Sequence, residues 1–129
     1  MSEPIVFISH FRVKAGKVEA YKELQRDTAK LLLADKPRTL AYLAYLTESG
    51  EQITIVHAFA DTESMDLQFQ GAFERAKVGF ELFEPDGWEI YGKPSEEVID
   101  AMRQAATASG VTLTLQPEYV AGFLRMTPA

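Results

Sequence analysis

Two segments of this chain are apolar on both faces of a strand, and this limits the available folds more than any other feature. In Ile5–Val13, the residues Ile5, Phe7, Ser9 and Phe11 share one face, while Val6, Ile8, His10 and Arg12 share the other. In residues 52–60, Ile53, Ile55 and Phe59 oppose Val56 and Ala58. A sheet with one wet face alternates apolar with polar side chains. These segments do not, so both faces of the sheet they build are expected to be covered.

The rest of the chain supplies helices and further strands. Ala15-Gly16-Lys17 turns into a helix of about 18 residues with the stripe Val18, Tyr21, Leu24, Thr28, Leu31 and Leu32, stopped by Pro37. Residues 40–47 and 52–60 read as a hairpin across Glu48-Ser49-Gly50-Glu51. Asp61 caps a second helix running to about Lys77, with Met65, Phe69, Ala72, Phe73 and Ala76 on its apolar face. Pro85-Asp86-Gly87 turns into a short strand, residues 88–92. The order to this point is βαββαβ, the order of a ferredoxin-like antiparallel sheet.

A C-terminal arm, residues 95–126, follows this core of residues 5–92. It begins as a helix capped by Ser95, with Glu96 and Glu97 complementing the dipole, and closes at Gly110. Residues 111–116 alternate as a fifth strand, and residues 119–124 are expected to resume it after Pro117. The proline points to an edge position, because it cannot donate to a ladder. Residues 1–129 are thus read as one α+β domain with a helix-strand extension.

Right-handed crossovers place the two core helices on one face of the sheet. Too little chain remains to cover the other face, so a homodimer is expected. The competing cover is the third helix with the C-terminal arm.

Composition narrows the chemistry. The absence of cysteine removes disulfides, thiolate zinc sites and cysteine nucleophiles. A net charge of −6 gives no attraction for nucleic acid or anionic lipid. No stretch is long and apolar enough to span a bilayer, and the acid near the N-terminus is unlike a signal peptide, so a cytoplasmic protein is expected. The phosphate-binding, metalloprotease and hydrolase motifs are missing, so any chemistry comes from scattered residues.

The two histidines, His10 and His57, fall on the first and third strands, which are neighbours in a ferredoxin-like order. Imidazole is a general base near neutral pH, so both are candidate catalytic groups. The plainer reading is a neutral histidine satisfied by one hydrogen bond. No metal is expected, because no carboxylate shares their strands and Asp61 is explained as a cap. Trp88, Tyr42, Tyr45, Tyr91, Phe59, Phe69 and Phe73 are candidates to line an apolar pocket between sheet and helices, although such rings also serve as plain core. Arg12 can hold an anionic group or simply reach solvent.

Two phrases bring a resemblance. FRVKAGKVEAYKEL is similar to the first strand, turn and helix of the antibiotic biosynthesis monooxygenase-like family, where a KPGK-x-EEF phrase recurs. ITIVHAFADTESMDLQFQGAFERA is similar to that family's third strand, aspartate cap and second helix. The resemblance implies a ferredoxin-like fold, a dimeric α+β barrel and a pocket between sheet and helices. Members of the family include cofactor-independent oxygenases of quinol-like or polyketide aromatics, and heme-degrading enzymes. Where the family carries a helix histidine, this chain has Gln68, which hydrogen-bonds but is no base near pH 7. Heme-degrading relatives rely on an asparagine and this chain has none, so heme cleavage of that type is not expected.

Two functions follow from the resemblance and the residues. One is a cofactor-independent monooxygenase of a small quinol-like or polyketide aromatic, with His10 or His57 assisting deprotonation and Gln68 at the pocket. The other is a non-catalytic dimeric binding or stress-associated module that uses the same pocket.

Overall fold

The computed structural model describes residues 3–125. Residue 126, assigned to the arm above, lies outside them. Three strands of the core are β1 (Ile5–Val13), β2 (Thr39–Leu46) and β3 (Gln52–Phe59), with α1 (Val18–Asp35) between the first two. The second half holds α2 (Thr62–Phe69), α3 (Ala72–Gly79), β4 (Phe83–Tyr91), α4 (Glu96–Ser109) and β5 (Leu113–Gln116). The strands form one mixed sheet of order β2-β3-β1-β4-β5. β1 lies between β3 and β4, antiparallel to both, so the two doubly apolar strands are central neighbours.

Register decides which side chains share a face. Ile5 opposes Phe59, Phe7 opposes His57, Ser9 opposes Ile55 and Phe11 opposes Ile53; between them Val6 opposes Ala58, Ile8 opposes Val56 and His10 opposes Thr54. The first set lies under the helices. Met65 of α2 and Val98, Met102 and Ala106 of α4 pack with Ile5, Phe7, Phe59, Trp88 and Ile90. Tyr21 of α1 packs with Ile53, Ile55 and Phe83. Phe59, Ile5, Ile53, Met65 and Ile90 are fully enclosed, each contributing about 1.5–3 kcal/mol of transfer free energy.

The second set has no such cover. Val6, Ile8 and Val56 stay half-buried, Leu43 is 48% exposed and Tyr45 60% exposed on this face. The competing cover proposed from sequence does not form: α4 packs on the helix-bearing face. The chain beyond β5 packs poorly, with Val120 87% and Phe123 75% exposed. One apolar sheet face is therefore left open by this chain.

Four local expectations are corrected. The second helix does not run to Lys77. Gln70 leaves helical geometry and Gly71 adopts φ +78°, a left-handed conformation that glycine tolerates, so α2 and α3 are separate. Pro85-Asp86-Gly87 is no turn before β4 but part of it. The register shifts between His10 and Phe11, skipping Asp86, and Pro85 falls where β5 has not yet begun. The sheet is not wholly antiparallel, because α4 carries the chain across and β5 pairs parallel to β4. Residues 119–124 do not resume a strand, since no neighbouring strand is there to pair with them. No helix among the described residues is long and apolar enough to cross a membrane.

Candidate functional site

His57 stands on β3 with its ring under the helices, because it shares the face of Ile53, Ile55 and Phe59. Its centroid lies 4.8 Å from Phe7, 5.0 Å from Tyr42 in an edge-on contact and 6.3 Å from Phe59. Phe69 of α2 completes the group at 5.5 Å from Phe7. The imidazole is only 9% exposed. Burial pushes its pKa down to about 4, with Arg75's charge adding and a hydrogen bond donated to Gln68 opposing. His57 is therefore neutral near pH 7.

Gln68 is the polar partner. Asp61 accepts from the Ser64 backbone N–H at 2.8 Å, which starts α2 and aims Gln68 back at β3. Gln68 Nε2 lies 3.0 Å and Oε1 3.2 Å from His57 Nδ1. A half-turn of the amide thus serves either state of that nitrogen. With Nε2 donating, Nδ1 is the acceptor. With Oε1 accepting, Nδ1 carries hydrogen and the far nitrogen, Nε2 of the imidazole, is free to take a proton.

Three further polar residues converge here that the sequence reading passed over as functional. Tyr21 donates to Gln25 Oε1 at 3.0 Å, and Gln25 Nε2 donates to the Tyr42 hydroxyl oxygen at 2.6 Å. Burial raises the pKa of both tyrosines. Arg75 of α3 donates to the main-chain oxygens of Gln68 at 2.5 Å and Gln70 at 3.0 Å, closing the C-terminus of α2. Among the described residues no carboxylate lies within ion-pair distance of Arg75. Tyr21 carries a sequence signal, its place on the α1 stripe. Gln25 and Arg75 carry none, because only the packing of α1 and α3 onto the sheet brings them in.

Lys36, Thr39, Ser64, Leu67, Gln68 and Gln70 border a cavity of about 230 Å³ between the end of α1, the start of β2 and α2. Neither histidine lines this cavity, against the expectation of an imidazole at a pocket; Gln68 lines it and bonds His57. The candidate pocket residues are otherwise distributed differently from the expectation. Tyr42 and Phe59 lie against His57 and Phe69 against Phe7, while Trp88 sits two strands away beside Phe11. Phe73 is turned outward, 65% exposed, by the break at Gly71. His10 lies on the open face, bonded to Glu89, so the two histidines occupy adjacent strands but opposite sides of the sheet. Arg12 is exposed and paired with Asp86 and Glu84.

No protein-family model and no curated protein matches this chain. Solved structures do. MupZ from Pseudomonas fluorescens aligns at TM-score 0.72 and 13% identity, over 99% of this chain and 100% of its own. SnoaB from Streptomyces nogalater, a cofactor-independent oxygenase, aligns at TM-score 0.59 and 13% identity, over 73% of this chain and 96% of its own. A candidate antibiotic biosynthesis monooxygenase from Chloroflexus aurantiacus J-10-fl aligns at 0.56 and 16%, over 72% and 95%. This chain has their fold. The similarity to MupZ extends through the C-terminal arm, whereas the other two match a shorter part of the chain.

Proposed function

We propose that this protein is a dimeric, ferredoxin-like α+β barrel that acts as a cofactor-independent monooxygenase on a small aromatic with an acidic hydroxyl. The observation that carries the reading is His57: a neutral imidazole held by Gln68 among the rings of Phe7, Tyr42 and Phe59. A neutral imidazole accepts a proton; an imidazolium does not. Once the proton has moved, the aromatic anion stabilises the imidazolium that burial otherwise disfavours. In this reading the Tyr42 hydroxyl and the Arg75 guanidinium favour negative charge on the ligand. The anion then supplies electrons to O2 in surroundings poor in water: one oxygen atom bonds a ring carbon as a quinone carbonyl, and the other leaves as water with the hydrogens of the hydroxyl and of that carbon. The fold shared with SnoaB supports this reading, and the open apolar face supports the dimer, since monomers seldom leave such a face bare.

Oxygen uptake with a panel of quinols and anthrones, without added cofactor, tests it. The expected result is uptake by the wild type and faster uptake by Gln68→His, which places a second base beside His57. A specific observation favours the alternative, a binding module: the rings close on His57, and the cavity reaches it only through Gln68. That reading predicts binding of the same aromatics with no oxygen consumed.

A further inference from the structure

The middle of the open sheet face carries one cluster of ionisable side chains. His10 opposes Gly87 on β4, and the missing side chain there leaves room for its imidazole to reach diagonally to Glu89. One Glu89 oxygen bonds His10 Nε2 and the other accepts from the Tyr91 hydroxyl. On the other side, Thr54 Oγ1 lies 3.4 Å from His10 Nδ1. These bonds hold the Glu89 carboxyl below the ordinary carboxylate range, Tyr91 contributing most and His10 next. Val6, Ile8, Val56 and Leu43 surround the group. The other charges facing it are Arg12 with Asp86 and Glu84, at the far end of β1. Tyr45 of β2 and, by register, Thr114 and Gln116 of β5 are uncharged.

We propose that the His10–Glu89–Tyr91 network is a proton-binding site at the centre of an interface with a second copy of this chain, so that assembly takes up protons. This rests on the dimer reading above. With His10 protonated, the network enters the interface as a neutral pair whose carboxylate oxygens are both satisfied, which limits the cost of enclosure. With His10 neutral, each copy brings a lone anion into an apolar layer, and a two-fold axis brings two of them. Rising pH therefore weakens the dimer through the loss of one proton per subunit. Thr54, opposite on β3, keeps the imidazole in place in both states.

Sedimentation equilibrium of the whole chain between about pH 6 and pH 8.5, bracketing ordinary imidazole titration, tests this. The expected result is a dimer dissociation constant that rises about tenfold or more with pH, and still does so in about 1 M salt, where repulsion between exposed charges is screened. Glu89→Gln removes the lone anion, so the loss of affinity with rising pH should disappear or reverse, because a protonated His10 is then the unpaired charge. His10→Gln should be as weak at pH 6 as the wild type is at pH 8.5. A wild-type dimer of constant affinity, or a Glu89→Gln dimer that keeps the full slope, would overturn the proposal and leave the dimer reading standing. A wild type that is monomeric at every pH would overturn both.

Discussion

Val56→Asp should separate the dimer, giving a scattering mass of 14.4 kDa where the wild type gives about twice that. Val56 lies between Ile8 of β1 and Leu43 of β2, in the middle of the uncovered face. Within one chain it is half-buried, so an aspartate there can reach water and the fold should survive. Against a second sheet the same carboxylate is enclosed without a partner, which costs several kcal/mol per ion. At about 1.4 kcal/mol per factor of ten, the dissociation constant should rise by about a hundredfold or more. An unchanged dimer would show that this face is not the interface.

The second large effect is acid sensitivity centred on His57. Its pKa falls from 6.5 in the unfolded chain to about 4 in the fold. Between these values the unfolded chain binds a proton that the folded chain refuses. Stability therefore falls as pH falls below about 6.5, and the loss levels off below about 4. At about 1.4 kcal/mol per pKa unit, the full loss is about 3 kcal/mol. Urea unfolding of the wild type and of His57→Gln should show stability losses between about pH 6.5 and pH 4 that differ by that amount. Asp61 and Glu89, whose pKa values are lowered by their hydrogen bonds, also lose stability toward acid, but equally in both proteins. Equal losses would mean that the imidazole takes up its proton in the folded state and is not sealed.

The central strands and α1 were legible because their signals are local: a period of two in Ile5–Val13 and a period near 3.6 in Val18–Asp35. Parity groups His57 with Ile53 and Ile55, and His10 with Val6 and Ile8, but only the β1–β3 register puts the two groups on opposite faces. What failed depended on single backbone conformations or on neighbours. Gly71 divides one apolar periodicity into two helices, and the bulge at Asp86 lets a turn-like tripeptide continue a strand. Residues 119–124 are rich in apolar and aromatic side chains, as strands are, but strand formation needs a partner edge. Within the site, His57 and Gln68 were both singled out, while their bond depended on how α2 packs. Gln25, Arg75 and the Glu89 partner of His10 come from elements distant in sequence, which no local pattern reports.

The central claim is that His57 takes the proton of an aromatic ligand, and the most direct test is oxygen consumption by His57→Phe with an anthrone that the wild type oxidises. The substituted ring keeps the aromatic packing around Phe7 and Tyr42, so folding and ligand binding should persist. Loss of a general base predicts a rate about 10²-fold lower or less. Oxygen uptake at the wild-type rate in His57→Phe would contradict the claim, and so would a wild type that binds anthrones and consumes no oxygen.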